Sequence, residues 1–142
     1  MNFQKYALKA EAFLKEVADE LGCSEDSNKA GRILRSTLHV LRDQSSPEES
    51  MQLISQLPMM VKAVYVDGWN IAKQCSRVRY VNEFIERVKE ADGRAGSEDF
   101  TSEEQALTAV KAVFRVIKNH VSEGEIEDLR RTLPEGIKVL LD

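Results

Sequence analysis

Apolar side chains recur every three or four residues along most of this chain, which is the spacing of amphipathic α-helices. The first predicted helix follows Asn2, carries apolar residues from Phe3 to Leu21 on one face, and ends at Gly22. Three Pro and seven Gly are too few for a turn-rich all-β protein. The pattern therefore predicts an all-α fold of about eight helices. After the first, they cover about residues 29–43, 47–56 and 58–66, followed by a helix from Val81 to near Gly93 and a long helix that Thr101 opens and that reaches Val121. Ser122 starts a further short helix, and Leu133-Pro134 starts the last one.

Helix starts are marked by Ser or Thr with Glu three positions later, the pattern of a capping box. Each pair is expected to satisfy free backbone amides in the first turn of its helix. Between the fifth and sixth predicted helices, residues 92–100 are predicted to form a polar loop. The predicted capping pairs are Ser46 with Glu49, Thr101 with Glu104, and Ser122 with Glu125.

Two segments of the chain have similar sequences. SPEESMQLISQLP (46–58) returns 76 residues later as SEGEIEDLRRTLP (122–134). Sliding residues 30–65 onto 106–141 gives eight identities in 36 positions without a gap, where ordinary composition gives about two or three. The sequence therefore predicts two similar four-helix repeats, packed as one compact unit with approximate twofold symmetry. Residues 1–73 form the first repeat with its linker, and residues 74–142 form the second.

Composition and charge narrow the class of protein. No run of 18 apolar residues is present, so no membrane span is expected. The N-terminus lacks the continuous apolar stretch of a secretory signal, so Cys23 and Cys75 are expected to be free thiols in a reducing cytoplasm. The net charge of −4 disfavours a nucleic-acid binder. Residues 29–80, with eight basic and four acidic residues, can still meet an anionic partner.

Catalytic and cofactor signatures are missing from the sequence. The duplicated Ser, Glu, Leu and Pro positions each have a structural role. The chain contains no phosphate loop, dinucleotide fingerprint, hydrolase elbow or zinc-protease motif. His39 and His120 do not have the spacing of a metal-ligand set with the two cysteines. We therefore expect no catalytic residue, no cofactor and no metal.

Three segments carry a family resemblance: AGRILRSTLHVLRDQ (30–44), QLPMMVKAVYVDGW (56–69) and RYVNEF (79–84). With these segments the chain resembles, over nearly all of its length, a family of uncharacterised bacterial proteins called domain of unknown function 2267. The resemblance implies an all-helical fold with no assigned activity. It brings no catalytic residue to this chain.

Basic side chains form a stripe at aligned positions of the two long predicted helices. Spacings of four and then three residues place each set on one helix face, where it can bind an acidic or anionic partner. The alternative is a solvated face, favoured by the helix dipole and paired to nearby carboxylates. The two stripes are Arg35, His39 and Arg42 in the first repeat, and Lys111, Arg115 and Lys118 in the second.

The linker between the repeats, residues 65–80, is the second candidate site. It holds Trp69, Arg77 and Arg79, and basic residues beside an aromatic ring can bind an anion, a nucleotide or a peptide. Alternatively, Trp69 folds back and covers apolar surface. Three aligned positions differ between the repeats: the second repeat has the charged residues Glu127, Arg130 and Glu135, whereas the first has Met51, Ile54 and Met59. The first repeat therefore carries extra apolar surface that needs to be covered.

These observations predict a non-enzymatic cytoplasmic binding or regulatory module. Its partner is expected to be a protein or another anionic molecule, and its assembly a monomer or a homodimer. The alternative is a small-ligand-binding protein or an enzyme with a pocket between the repeats. Such a pocket is expected to be lined by Trp69, Arg77, Arg79 and His39.

Overall fold

The computed structural model describes residues 1–73 and 75–142, and in those residues it contains helices and turns but no strand. The predicted all-α fold of about eight helices is confirmed. Two 3₁₀ segments add to it, Gly93–Ala95 and Glu135–Leu141. The α-helices are α1 (Phe3–Leu21), α2 (Ser27–Asp43), α3 (Pro47–Ile54), α4 (Met59–Val66), α5 (Val81–Asp92), α6 (Gly96–Asp99), α7 (Glu103–His120) and α8 (Glu123–Thr132).

The long helices pack in pairs. Helix α2 lies against α5, α1 lies against α7, and α2 also contacts α7. Helix α4 packs on α1 and α2, while the C-terminal 3₁₀ helix packs on α5 and α7, and α3 meets α8. These contacts are the ones expected if α1, α2, α3 and α4 correspond to α5, α7, α8 and the C-terminal 3₁₀ helix. The twofold relation and the repeat boundaries remain predictions.

Aromatic residues from several helices meet in the core. Phe84 of α5 and Phe114 of α7 are fully buried, with ring centroids 6.0 Å apart. Tyr65 of α4 is also fully buried, and its hydroxyl lies 2.6 Å from the Ser50 hydroxyl. Burial raises the pKa of Tyr65 to about 12. The hydrogen bond satisfies a polar group that is costly to bury alone, so it fixes α4 to α3.

The start of α1 departs from its predicted packing. Phe3 was expected on the buried face, but it is 74% exposed, and the buried residues of α1 begin at Phe13. The residues of α1 before Phe13 are exposed or half-buried, so helical periodicity continues there without a core to face.

The prediction of a polar loop at 92–100 was wrong. This segment forms the first 3₁₀ turn and α6, and it buries Asp99 and Phe100. Arg32 of α2 donates two hydrogen bonds to Asp99, from Nε and Nη2, both at 2.9 Å. A bidentate guanidinium offsets the cost of burying a carboxylate. Because this partner is distant in sequence, a local pattern does not reveal it.

The predicted start of one helix and the predicted type of another were also wrong. The cap of α7 is Ser102, whose Oγ accepts from the Gln105 amide at 3.1 Å, and Thr101 instead contacts the Gln105 side chain. The segment after Pro134 is a 3₁₀ helix and not an α-helix.

In the described parts of the chain, no helix is long and apolar enough to cross a bilayer.

Candidate functional site

The basic stripe of the first repeat lies against the end of α4. His39 Nε2 donates to the carbonyl oxygen of Val64 at 2.7 Å. Arg42 Nη1 donates to the carbonyl oxygens of Tyr65 at 2.8 Å and Asp67 at 3.0 Å. The last carbonyls of a helix have no partner within the helix. His39 and Arg42 therefore act as a side-chain cap for the C-terminus of α4.

The environment of His39 keeps its ring neutral. Burial lowers the pKa of His39, and the neighbouring charges of Arg42 and Arg35 lower it further, against the opposing effect of the Val64 carbonyl. The Val64 contact requires a proton on Nε2, which the neutral Nε2–H tautomer supplies. His39 is thus a structural donor in this arrangement.

The second stripe makes a related contact. Lys118, which aligns with Arg42, donates from Nζ to the carbonyl oxygen of Leu141 at 2.6 Å, and Leu141 aligns with Tyr65. Arg115 pairs with Glu20 of α1 at 2.7 Å. In both stripes, side chains that were candidates for partner binding are thus engaged within the protein, mostly by backbone carbonyl oxygens.

The outer members of the two stripes are less engaged. Arg35 Nη2 lies 3.7 Å from Asp67 Oδ2, with both side chains more than half exposed. Lys111 is half-buried and has no ion pair among residues 1–73 and 75–142. Exposed pairs of this kind contribute little to stability, so Arg35 and Lys111 retain the capacity for an external anion.

Trp69 lies in the linker, three residues after the end of α4, and packs on that helix. Its half-buried ring lies edge-on to Tyr65, with centroids 6.0 Å apart and an interplanar angle of 86°. The Arg42 guanidinium carbon lies 5.8 Å from the centre of the Trp69 ring, within the range of a cation–π contact. Trp69 therefore lies on Tyr65 and Arg42.

The apolar patch stays only partly covered. Ile54 is buried, whereas Met51 is 58% and Met59 is 49% exposed. The two methionines were the residues that a folded-back Trp69 was expected to protect. In the structure they offer apolar surface to solvent.

The far end of the linker is clamped to α2 and α5. The buried side chain of Gln44 accepts from the Val78 amide at 2.8 Å and donates to the Ser76 carbonyl at 3.5 Å. Arg87 of α5 also donates to Ser76, including its hydroxyl at 2.9 Å. Val78 is 1% exposed. The chain is thus fixed on both sides of the linker turn, by Trp69 before it and by Val78 after it.

A cavity of about 750 Å³ lies between the linker, the end of α2 and the start of α3. We call it the linker cavity. Trp69 lines it together with three cationic side chains and two carboxylates, among other polar groups. The cations are Arg42, Lys73 and Arg77, and the carboxylates are Asp43 and Glu49. Arg77 is oriented by its bond from Nη2 to the Thr132 carbonyl of α8 at 2.8 Å.

The thiol in the linker cavity is not activated. Cys75 lines the cavity and is half-buried. Burial raises the pKa of the Cys75 thiol, and nearby Asp43 raises it further. A nucleophilic cysteine requires a lowered pKa, so this environment suits an inert thiol.

The linker cavity differs from the pocket that the sequence predicted. Trp69 and Arg77 are brought together there, but with Arg42 instead of Arg79 and His39. Arg79 is exposed on the far side of Val78, and its backbone amide donates to Glu83 at 3.4 Å. Sequence reasoning missed Gln44 and Glu49 as lining residues because their contacts with the linker are distant along the chain.

The chain thus forms an all-helical protein in which a linker, fixed on both sides of its turn, lines a polar cavity. A family model described as an uncharacterized conserved protein (DUF2267) matches residues 10–140. The chain belongs to this family, as its sequence resemblance predicted. A search of curated proteins finds no match.

Proposed function

We propose that this chain is a non-enzymatic binding module and that the linker cavity is its binding site. The observation that carries the proposal is the convergence of Trp69, Arg42 and Arg77 on a cavity of about 750 Å³. Small-molecule sites typically have volumes of about 300–1,000 Å³ and a few oriented polar groups. The unactivated thiol of Cys75 favours binding over covalent chemistry.

The lining indicates the ligand's chemistry. Trp69 is only partly buried and lines the cavity, and Arg42 has a buried Nε that lacks a hydrogen-bond partner in the described chain. Lys73 is exposed at the cavity's edge. Guanidinium groups bind carboxylate and phosphate well, and a planar group can stack on an aromatic ring or on arginine. The ligand we propose therefore combines a planar group with an anionic group.

Trp69 is the only tryptophan, so its fluorescence reports binding directly. We expect phenyl phosphate to change the emission saturably, and inorganic phosphate to bind more weakly because it lacks the ring. Lys73→Gln is expected to weaken phenyl phosphate binding about five- to tenfold, since a charged hydrogen bond contributes about 1–1.5 kcal/mol.

Arg79→Gln is the matched control, because Arg79 lies in the same segment but does not line the linker cavity. It is expected to leave phenyl phosphate binding unchanged. Equal weakening by both variants would indicate a diffuse charge effect and contradict the site. The absence of any saturable change in the wild-type protein would contradict the proposed function.

A second candidate function is protein contact, favoured by the exposed methionines of α3 and α4. Met51, Met59 and Met60 are 58%, 49% and 47% exposed. Methionine-rich surfaces adapt well to partner surfaces. Light scattering tests whether the partner is a second copy: a dimer that Met59→Lys dissociates and Val139→Lys does not would support this candidate. A monomer at high concentration would exclude self-association.

The cellular setting is part of the same proposal. The free thiols of Cys23 and Cys75 are half-buried and agree with a reducing compartment. We place the protein in the bacterial cytoplasm on this basis and on its family resemblance. Fractionation of cells is expected to recover the protein from the cytoplasm with both thiols reduced, whereas export to an oxidising compartment would contradict the placement.

A further inference from the structure

Glu125 has lost the role that its motif predicts. In a capping box, the carboxylate of the third helical residue accepts from the backbone amide of the capping residue. At the start of α8, Ser122 Oγ does accept from the Glu125 amide at 3.2 Å. However, the Ser122 amide donates to Gln56 Oε1 at 2.6 Å, and Gln56 Nε2 donates to Ser122 Oγ at 3.3 Å. A glutamine from the first repeat therefore replaces the carboxylate of Glu125.

The released carboxylate of Glu125 has no partner in the described chain, although most of the residue is buried. Glu125 is only 9% exposed, and its carboxylate has no hydrogen bond or ion pair within residues 1–73 and 75–142. Burial is the cause that raises the pKa of Glu125. A partly desolvated carboxylate without a partner is unfavourable, and a bound cation would reduce that cost.

Glu125 lines a second cavity, which lies between α3 and α8. This interhelical cavity has a volume of about 270 Å³. Its charged lining contains three carboxylates and one guanidinium, and the guanidinium of Arg131 is already paired with Asp128. Glu49 supplies the third carboxylate, and Gln52 and Thr132 supply neutral polar groups. The unneutralised charge of the cavity is therefore negative.

We propose that the interhelical cavity binds a small organic cation, with an ammonium or guanidinium group paired to Glu125. A volume of about 270 Å³ corresponds to roughly nine water molecules at about 30 Å³ each. That space is too large for a bare metal ion and suits a cationic group with several heavy atoms. The amide oxygen of Gln52 and the hydroxyl of Thr132 can accept the remaining N–H groups.

This site goes beyond the proposed function, because it differs from the linker cavity in place and in the sign of its charge. Glu49 lines both cavities, whereas Glu125 lines only the interhelical one. Variants at Glu125 therefore test the cation site alone. Phenyl phosphate binding, followed through Trp69, is expected to be the same with and without Glu125.

The experiment is a ¹H–¹⁵N NMR titration of the full chain with n-butylammonium chloride and with guanidinium chloride, against potassium chloride at equal ionic strength. We expect saturable shifts at the amides of Glu125, Leu129 and Gln52 with at least one organic cation. Glu125→Gln is expected to weaken binding at least about tenfold, the effect of removing a charged partner. Glu123→Gln, at an exposed acid in the same helical turn, is the matched control and is expected to bind like wild type.

A second variant keeps the test independent of Glu125→Gln folding. Gln52 is exposed, so Gln52→Lys is expected to fold, to place its own ammonium group in the cavity and to exclude the free cation. The proposal is overturned if wild type shows no saturable shift with either organic cation. It is also overturned if Glu125→Gln or Gln52→Lys binds as tightly as wild type, or if calcium chloride alone shifts these amides.

Discussion

The two copies of the Ser-x-x-Glu motif have the same local sequence and different contacts. In the first copy the box is closed: the Ser46 amide donates to Glu49 Oε1 at 3.0 Å, and the Glu49 amide donates to Ser46 Oγ at 3.1 Å. In the second copy Gln56 occupies the position of the carboxylate. A contact with Gln56, which is distant in sequence, has therefore replaced the contact of the Ser122 amide with Glu125, although the second copy keeps the Ser-x-x-Glu sequence.

The electrostatics of the two glutamates follow from this difference. Burial opposes the ionisation of Glu49, but Thr132, Ser46 and the charge of Arg77 outweigh it and lower the pKa of Glu49. Burial alone acts on Glu125 and raises its pKa. The same residue at the same motif position is thus closed into its capping box in one copy, where only its Oε2 lacks a hydrogen-bond partner in the described chain, and is released from the box in the other.

The largest expected effect concerns the residues that follow the motif, where Met60 aligns with Gly136. A Cβ on Gly136 would lie 1.8 Å from the carbonyl oxygen of Arg79, a backbone atom that has little room to move. Gly136→Ala is expected to cost about 3 kcal/mol of unfolding free energy because the linker end must shift. Urea denaturation checks this value. Met60→Ala, at the aligned half-exposed position, is the control and should cost less than about 1 kcal/mol.

If Gly136→Ala unfolded at the same urea concentration as wild type, the close approach between the C-terminal 3₁₀ helix and the linker would be refuted. A large loss for Met60→Ala would instead show that both copies depend on tight packing at this position. Either result would weaken the contrast between the two halves.

A second difference lies in the connections that precede the long helices α2 and α7. The second connection contains the acidic pair of Asp92 and Asp99, with Arg32 bound to Asp99. Asp92 Oδ2 is buried and has no hydrogen-bond partner in the part of the chain described. Burial raises the pKa of Asp92, and adjacent Asp99 raises it further.

Asp92→Asn is expected to stabilise the protein at pH 8 by about 1–2 kcal/mol. A carboxyl with a raised folded-state pKa holds its proton more tightly when folded, so its contribution to stability is present at low pH and lost as pH rises through that pKa. The gain from the variant should therefore grow between about pH 4 and pH 8. Denaturation at several pH values measures it.

The opposite shift of Asp99 does not disturb this comparison. Arg32 lowers the pKa of Asp99, and Asp92 lowers it further, so the contribution of Asp99 is present at neutral pH and is lost only as pH falls below the range in which the gain from Asp92→Asn grows. A stability gain for Asp92→Asn that did not change with pH would show that Asp92 is not the titrating group.

The smallest expected difference between the two copies concerns the basic residues at the ends of the two stripes. Arg42 bonds two carbonyls and lies against Trp69, whereas Lys118 bonds the Leu141 carbonyl alone. Arg42→Ala is expected to cost about 1–2 kcal/mol, and Lys118→Ala about half of that. Thermal unfolding measures the two losses. Equal losses would mean that the extra carbonyl and the Trp69 ring add nothing to the first repeat.

Much of the fold was predictable because helices are specified locally. The apolar periodicity of α2 and α7, the positive-φ Gly22 at the end of α1 and the Ser46 capping box all depend on residues within a few positions of one another. The site was less predictable. Trp69 and Arg77 were identified from residue type, but the partners that place them act over distance.

Three contacts show why local patterns failed at the remaining positions. Arg32 and Asp99 are 67 residues apart, and Gln56 and Ser122 are 66 apart. Arg42 fell on the predicted polar face of α2, yet that face is covered by the end of α4, 23 residues later. Periodicity in the sequence predicts on which face of its helix a side chain lies. Which other helix or loop packs on that face depends on the whole fold.

The most direct test of the divergence between the two motifs is an NMR titration of their side-chain carboxyl carbons. We expect Glu49 to titrate below its ordinary pKa of 4.5 and Glu125 to titrate above it. We expect Gln56→Ala to move Glu125 toward the value of Glu49, because the Ser122 amide then becomes available to its carboxylate. Equal pKa values for Glu49 and Glu125 in the wild-type protein would contradict the displacement of Glu125 from its cap.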